Sequence, residues 1–515
     1  MKKEYFMGID IGTYESKGVI VDQGFNIVAE HAVAHGMENP KANYFEHDAE
    51  KVWWNDFCEI SKELLRRTEI DPKDIKAVGA SALGADCLPV DENNNPLRKA
   101  ILYGIDARAT EEIAWLSEYW GEEQIIKWFG RPLGSSDVAP KILWIKNNEP
   151  EVYAKTHKFL TGSSYITAKL TDKFTVDRFL GLASFNPLYD RNGIPDPVTC
   201  EPICRPDQLA TVMNTIDIAG GVTAKAAKET GLAEGTPVIV GTDDAGSEAI
   251  STGVLEPGDM MLMFGSSLYM ILCTDKLIDD NRIWREEFII PGTFDISAGS
   301  NAAGTLTRWF RDNLYVDLLE EEKKTGVNAY ELMMSGIDKI PPGSDGLIML
   351  PYVAGERTPI NDPHAKGMIF GLTLAHTKEH LYRSALESIG YSIGQHFEIF
   401  AEHDIKINKI MAVGGGTKNP QWMQMVSDII GKEISTAAIT IGASYGDAMM
   451  AAMSINYFDS FADLSKLIKK GVSYKPNMEN HAIYKDYQKI FDELYNNNKD
   501  AMHKIGELAE KHRYQ

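Results

Sequence analysis

Gly8-Ile9-Asp10-Ile11-Gly12-Thr13, entered from the apolar run at Tyr5 and followed by Lys17 and Gly18-Val19-Ile20-Val21, reads as strand, small-residue turn, strand. A glycine in such a turn lets backbone N–H groups approach a phosphate, and Thr13 adds a hydroxyl donor. Lys17, just beyond, supplies positive charge. Asp10 ends an apolar strand, where a carboxylate is costly to bury unless it is ionised for a task such as holding hydrated Mg²⁺. A plain hairpin whose Asp accepts backbone N–H bonds accounts for the same residues, so this segment alone leaves both readings open.

The theme recurs downstream. Met260-Met261-Leu262-Met263-Phe264, the turn Gly265-Ser266-Ser267 and the run Leu268–Leu272 repeat strand, turn, strand. Between the copies, Pro237-Val238-Ile239-Val240 ends in Gly241-Thr242-Asp243-Asp244-Ala245, an acid pair at a strand end. Asp244 is the better N-cap for a helix starting at Ala245, which leaves Asp243 to face a cleft at the sheet edge. The pattern predicts two related α/β domains dividing between about 245 and 258. Helical periodicity is expected around Val52–Leu65 and over most of Ala109–Leu170, with a strand near Ile75–Ala80. Leu381, Ala385, Ile389, Ile393 and Phe397 form an i+4 stripe, and the second sheet is expected to end near Tyr457. Tyr484, Tyr487, Ile490, Phe491 and Leu494 predict an amphipathic helix in the tail.

Val413-Gly414-Gly415-Gly416-Thr417-Lys418-Asn419 lies between the apolar Ile410-Met411-Ala412 and a helical pattern from Gln421 to Ile430. Consecutive glycines at a strand-to-helix turn let backbone lie against a nucleotide. The G-x-G-x-x-G spacing and its later acidic ribose binder are missing, which disfavours a dehydrogenase. The chain has 515 residues, 44% of them hydrophobic, with 52 Lys+Arg against 74 Asp+Glu and a formal charge of −22. This is a globular composition, too acidic for a nucleic-acid or anionic-membrane binder. The N-terminus lacks a signal-peptide apolar stretch, and Cys58, Cys87, Cys200, Cys204 and Cys273 lack zinc spacing, so a cytoplasmic protein with free thiols is expected.

Taken in order, these segments resemble the FGGY carbohydrate kinases, the group holding xylulokinase and glycerol kinase. The resemblance adds Ala100–Arg108 as a sugar-side segment, Leu350–Pro359, and a C-terminal signature running from Gly367-Met368-Ile369-Phe370-Gly371-Leu372 to Glu387. It implies an α/β fold of two actin-like (ribonuclease H-like) domains around a cleft. Residues 1–250 would bind sugar, 251–460 ATP, and 461–515 would form a helical tail on the second domain. ATP and Mg²⁺ are the implied cofactors, and a small sugar or polyol the partner. By the same resemblance Asp243 is the general base and Asp10 orients Mg²⁺. Gly12, Thr13, Lys17, Gly265 and Ser266 would face the phosphates, and Gly304, Arg308, Gly415, Gly416 and Asn419 the nucleotide.

Asp86, Tyr103, Asp106 and Arg108 would join Asp243 in binding the sugar, with Asp106 accepting hydroxyl protons. Asp86 on a solvated loop before Pro89 is the competing reading. His380 reads as a helix-start residue and Glu356-Arg357 as a structural ion pair. Where xylulokinases carry a Gln-Met-His run, this chain has Leu83, Gly84 and Ala85, which removes a hydrogen-bonding imidazole. The expected activity is ATP-dependent phosphorylation of a small sugar in the xylulokinase-like branch, most simply a ketopentose such as xylulose. Another polyol, ketose or sugar acid (ribulose, glycerol, gluconate) stands as an alternative acceptor. A non-kinase actin-like ATPase is the rival from another class, and a homodimer is expected from the resemblance and from the prevalence of two-fold dimers.

Overall fold

The computed structural model describes residues 3–439 and 441–513; residues 1, 2, 440, 514 and 515 of the expected domains lie outside it. The first sheet contains β1 (Tyr5–Ile11), β2 (Glu15–Asp22), β3 (Ile27–Ala34), β4 (Ile75–Ala82), β5 (Ile218–Gly221), β6 (Pro237–Ile239) and β7 (Thr242–Asp243). Its order is β5-β6-β4-β1-β2-β3, with β7 also on β4. The second contains β8 (Asp259–Phe264), β9 (Leu268–Thr274), β10 (Trp284–Glu287), β11 (Phe294–Ser300), β12 (Lys409–Val413), β13 (Ile434–Ala437) and β14 (Lys470–Tyr474), in the order β10-β11-β9-β8-β12-β13-β14.

From β3 to β5 the pairings run antiparallel, antiparallel, parallel, parallel, antiparallel. From β11 to β14 they run the same way. The repeat seen in two turns therefore extends over six strands of each sheet. It also corrects one expectation: the second sheet does not end near Tyr457, because β14 adds an antiparallel edge strand matching β5. The expected helical tail of residues 461–515 therefore holds that strand between a short helical stretch at Phe461–Leu467 and its long helix. Five residues with a lysine, a glycine and a serine carry too little alternation to announce it.

Strand alternation sorts side chains between cores. Tyr5, Met7, Ile9 and Ile11 of β1 enter the first domain's core, while Phe6 points the other way into a central core. The helices used below are α1 (Asn55–Thr68), α2 (Asp244–Ser251), α3 (Gly304–Leu314), α4 (Lys378–Glu402), α5 (Pro420–Ile430), α6 (Ala443–Ser454) and α7 (Met478–Arg513). α2 and α6 pack on each other between the sheets, and α6, from the second half of the chain, lies on β1, β2 and β4. The contact is backbone to backbone: a Cβ on Gly446 would lie 1.9 Å from the Ser247 carbonyl oxygen, and one on Gly8 2.0 Å from that of Ser444. The central core adds Met261, Ile271 and Val413 from the second sheet to Met449, Met450 and Met453 of α6.

α7 buries Tyr484, Phe491 and Leu494 in the second domain's core, while Ile490 of the expected stripe is exposed. His380 starts α4, its Nδ1 accepting from Thr377 and its Nε2 beside Asp345. Glu356 is buried but forms no ion pair with Arg357; its carboxylate accepts from Ser300 Oγ, Asn301 N–H and the Arg357 backbone N–H. Among the described residues no helix is long and apolar enough to cross a membrane.

Candidate active site

The acids gather where β1, β4 and β7 end together. Asp10 pairs in register with Ser81, and Asp243 with Ala82. Asp243 is the N-cap of α2, its Oδ1 accepting from Gly246 N–H at 2.7 Å. This corrects the expected order of the two acids: Asp244 is the first helical residue and binds only the adjacent Ala245 N–H. The reason is β7, whose pairing with β4 keeps the chain extended through Asp243. Capping uses one oxygen of Asp243. The other, Oδ2, lies against Gly84, where a Cβ would come within 2.9 Å of it. Burial, then the charge of Asp244, raises the Asp243 carboxyl well above its ordinary range.

Asp10, Asp244, Glu248 and Asp447 crowd one another. Ser81 Oγ lies 2.9 Å from Asp10 Oδ1 and 2.7 Å from Asp447 Oδ2, and Ser247 Oγ donates to Asp447 Oδ1 at 2.7 Å. Burial pushes Asp244 to about 6; burial foremost, with the charge of Asp244, pushes both Glu248 and Asp447 to about 7 and raises Asp10 well above its ordinary range. A divalent cation would relieve such crowding. Among the described residues no group of three or more His, Cys, Asp or Glu is placed to hold a metal alone. Mg²⁺ keeps several waters and takes one or two carboxylates plus substrate phosphates, so a pair such as Asp10 and Asp244 has the donor chemistry it needs.

The first turn closes with Gly12 N–H on the Glu15 carbonyl at 3.2 Å, and Thr13 Oγ1 lies 3.3 Å from the Tyr103 hydroxyl. Lys17 stands opposite Asp10 across the hairpin, pairs with Glu15 at 2.9 Å, and lines a cavity of about 570 Å³ with Ile27, His31, Arg67 and Ile439. In the second domain, the Gly265-Ser266 turn meets the start of α3. Gly304 N–H donates to the Gly265 carbonyl at 3.0 Å, and a Cβ on Gly304 would lie 2.6 Å from that oxygen. Arg308 is exposed one turn along α3. Gly416 packs beside Phe264, the residue preceding Gly265, while nothing crowds Gly415. Asn419 caps α5, accepting from Trp422 N–H at 3.0 Å. The structure thus brings Gly265, Ser266, Gly304, Gly415 and Gly416 to one sheet edge.

On the acceptor side, the solvated-loop reading of Asp86 is overturned: Asp86 is fully buried. Its Oδ1 accepts from Tyr103 N–H at 3.0 Å, and its Oδ2 has no partner. Asp106 and Arg108 are likewise buried. Asp106 binds the Arg108 guanidinium and backbone N–H and the Phe45 N–H. Arg108 also reaches Glu46 at 2.8 Å and stacks on Tyr44. With its oxygens so engaged, Asp106 holds the segment in place and does not offer an acceptor to a sugar hydroxyl. Reading the sequence missed Lys141, a fully buried lysine whose Nζ donates to the Ala85 carbonyl at 2.7 Å, beneath residues 83–86. It also missed Glu46, Ser81, Glu248 and Asp447. Lys141 lies in an apolar helical stretch, where a single lysine reads as surface.

Comparison with known proteins matches both halves. Residues 5–251 match the N-terminal domain of the FGGY family of carbohydrate kinases, and residues 260–455 match its C-terminal domain. A xylulose kinase of Bacillus subtilis (strain 168) is 27% identical over 501 residues, covering 96% of this chain and 98% of the relative. A gluconokinase of the same organism is 26% identical, covering 95% of each. The crystal structure of xylulose kinase from Rhodospirillum rubrum superposes with a TM-score of 0.89 at 25% identity, covering 97% of this chain and 100% of that one.

Proposed function

The chain belongs to the FGGY family of carbohydrate kinases, with its two-domain actin-like fold, and on that premise we propose that it transfers the γ-phosphoryl group of ATP to a hydroxyl of a small open-chain sugar, foremost a ketopentose such as xylulose. The observation that carries this reading is Asp243, with one oxygen fixed by the Gly246 N–H and the other turned to Gly84. A carboxylate so oriented accepts the acceptor hydroxyl's proton as the oxygen attacks, and its raised pKa makes it a stronger base than an exposed Asp. The turns at Gly12-Thr13 and Gly265-Ser266 would hold the phosphates, with Gly304, Gly415 and Gly416 against the nucleotide. Phosphoryl transfer asks mainly for such positioning and charge neutralisation. Asp10, with Asp244, would hold Mg²⁺, which when bound neutralises phosphate charge.

Residues 1–250 are assigned to the sugar and 251–460 to ATP. Tyr103 and the wall at Leu83–Asp86 serve the acceptor, with Asp106 and Arg108 bracing that wall. The five cysteines are unbridged and buried, which fits a cytoplasmic setting, and a homodimer is the expected assembly. A coupled assay of ADP release over pentuloses, hexuloses, polyols and gluconate tests the reading. Release that depends on one class of acceptor supports it; ATP hydrolysis indifferent to every sugar favours a non-kinase actin-like ATPase.

A further inference from the structure

Residues 83–86 and Tyr103 form one wall of the cleft. The other is a face of the second sheet that the register defines. Ile271 pairs with Ser297, Ser297 with Trp284, Tyr269 with Gly299, and Asp295 with Glu286. Directly opposed residues share a face, so Tyr269, Trp284, Glu286 and Asp295 project from the same side as Ile271. Ile271 belongs to the central core shared with the first domain, so this face looks across at that domain. It also reaches the base. A Cβ on Gly246, the residue bonded to Asp243, would lie 2.7 Å from Ile289 Cδ1, just beyond β10. Arg178 of the first domain donates twice to Glu287, at 2.8 and 2.9 Å, and Phe179 meets Phe288 edge to face.

Two polar atoms on this face are buried without a partner, Asp295 Oδ1 and the Trp284 indole N–H, and Asp295 is only 1% exposed. Unsatisfied buried groups of this kind are costly unless a ligand completes them. Sugar hydroxyls suit both, donating to the carboxylate and accepting from the indole. The neighbouring cations are already committed. Arg131 gives Asp137 two bonds, at 2.9 and 2.7 Å, and Lys141 holds the Ala85 carbonyl, while Arg285, paired with Asp279 at 2.7 Å and keeping one buried Nη1 unpartnered, lies by register on the opposite face of β10.

We propose that Trp284, Glu286 and Asp295 form the second wall of the acceptor site, admitting neutral polyhydroxylated acceptors and rejecting sugar acids. The inference rests on the kinase reading above and names the class of acceptor within it. An acceptor carboxylate would meet Asp243, Glu286 and Asp295, and the cation beside Glu286, Arg131, is already doubly bonded to Asp137. Burial pushes Glu286 up to about 7 against the lowering charge of Arg131, and Asp295 is raised by burial and then by Glu286 and Asp243. The Trp284 ring, 6.3 Å from that of Tyr269, offers an apolar surface for the carbon chain.

The test compares kcat/KM for D-xylulose, xylitol and D-gluconate at saturating ATP, in the natural protein and in Glu286→Gln, Asp295→Asn and Trp284→Phe. The natural protein is expected to favour the better neutral acceptor over gluconate by at least about 100-fold, since juxtaposed like charges are strongly unfavourable. Glu286→Gln should narrow that gap. Trp284→Phe, which keeps a ring and removes the donor, should raise the KM for the neutral acceptor about tenfold with the KM for ATP unchanged. Gluconate turned over as well as the neutral sugars overturns the proposal. So does an unmoved gap in folded variants that keep their KM for ATP. If no sugar elicits ADP release, the kinase reading fails on its own. Calorimetric titration with the same three sugars then decides the wall, because gluconate binding as tightly as xylulose refutes it.

Discussion

The two glycine turns proposed to hold the phosphates occupy equivalent places in the two sheets but are braced by different chemistry. At Gly12-Thr13 the brace is a side chain: His35 Nε2 lies 3.0 Å from the Gly12 carbonyl oxygen, and its Nδ1 2.8 Å from Asp56 Oδ2, which also accepts from Ser16 Oγ. At Gly265-Ser266 the brace is chiefly backbone, with the Ser266 carbonyl accepting from Ala303 and Thr305 N–H and the Gly265 carbonyl from Gly304 N–H. An imidazole facing two acceptors satisfies both only when both nitrogens carry protons. The first turn is therefore titratable through its support, and the second is not. A duplicated architecture need not duplicate its sensitivities.

The largest expected effect separates both turns from the chemistry between them. Asp243→Asn should lower kcat by about 10²–10⁴-fold, while ATP affinity measured by calorimetry stays unchanged, because Asp243 braces neither turn. A parallel loss of ATP affinity would break the division. Next comes the second turn. Gly304→Ala puts a methyl against a backbone oxygen that has no room to yield, so the KM for ATP should rise about tenfold, equally at pH 6 and pH 8. A pH-dependent defect would show that this turn too has a titratable support.

The third effect belongs to the first turn. Burial alone would lower the His35 pKa, but the Asp56 hydrogen bond and charge, with the Gly12 and Thr13 carbonyls, leave it raised. A raised folded-state value means the support is complete below the ordinary pKa of about 6.5 and is lost as pH rises through the folded value. Asp56 and the edge-on ring of His47 are the titratable groups facing it. Thermal melts should show stability declining across that window in the natural protein and a shallower decline in His35→Gln. Equal slopes would remove the contrast between the turns. The smallest effect tests the strut between turn and acceptor wall. Tyr103→Phe deletes the hydroxyl beside Thr13 and should lower kcat/KM for the sugar about threefold, with the KM for ATP unmoved.

The sequence disclosed what is local. Gly12 and Gly265 mark turns because strand alternation breaks there, and the Gly414-Gly415-Gly416 run announces a strand-to-helix turn on its own. It hid what depends on distant partners. Which of Asp243 and Asp244 caps α2 is settled by β7 pairing with β4, about 160 residues earlier in the chain. Asp447 joins the acid cluster through Ser81, 366 residues away, and Arg108 is buried by Glu46, 62 residues away. Lys141 looked like surface because nothing local shows that the Ala85 carbonyl waits for it. The acceptor wall of the second domain was similarly invisible, since only the register of β9, β10 and β11 places its residues on one face.

The backbone-to-backbone packing of α6 has a consequence for laboratory evolution of this enzyme. Libraries meant to change the acceptor usually gain by loosening a scaffold somewhere, but a methyl at Gly8 or Gly446 would drive into a carbonyl oxygen at about 2 Å. These are fixed points of a mechanical joint, not adjustable surface. Randomising them would sacrifice most of a library to unfolded clones, whereas positions 284 and 286, on the proposed acceptor wall, lie outside the joint and are where diversity should be placed.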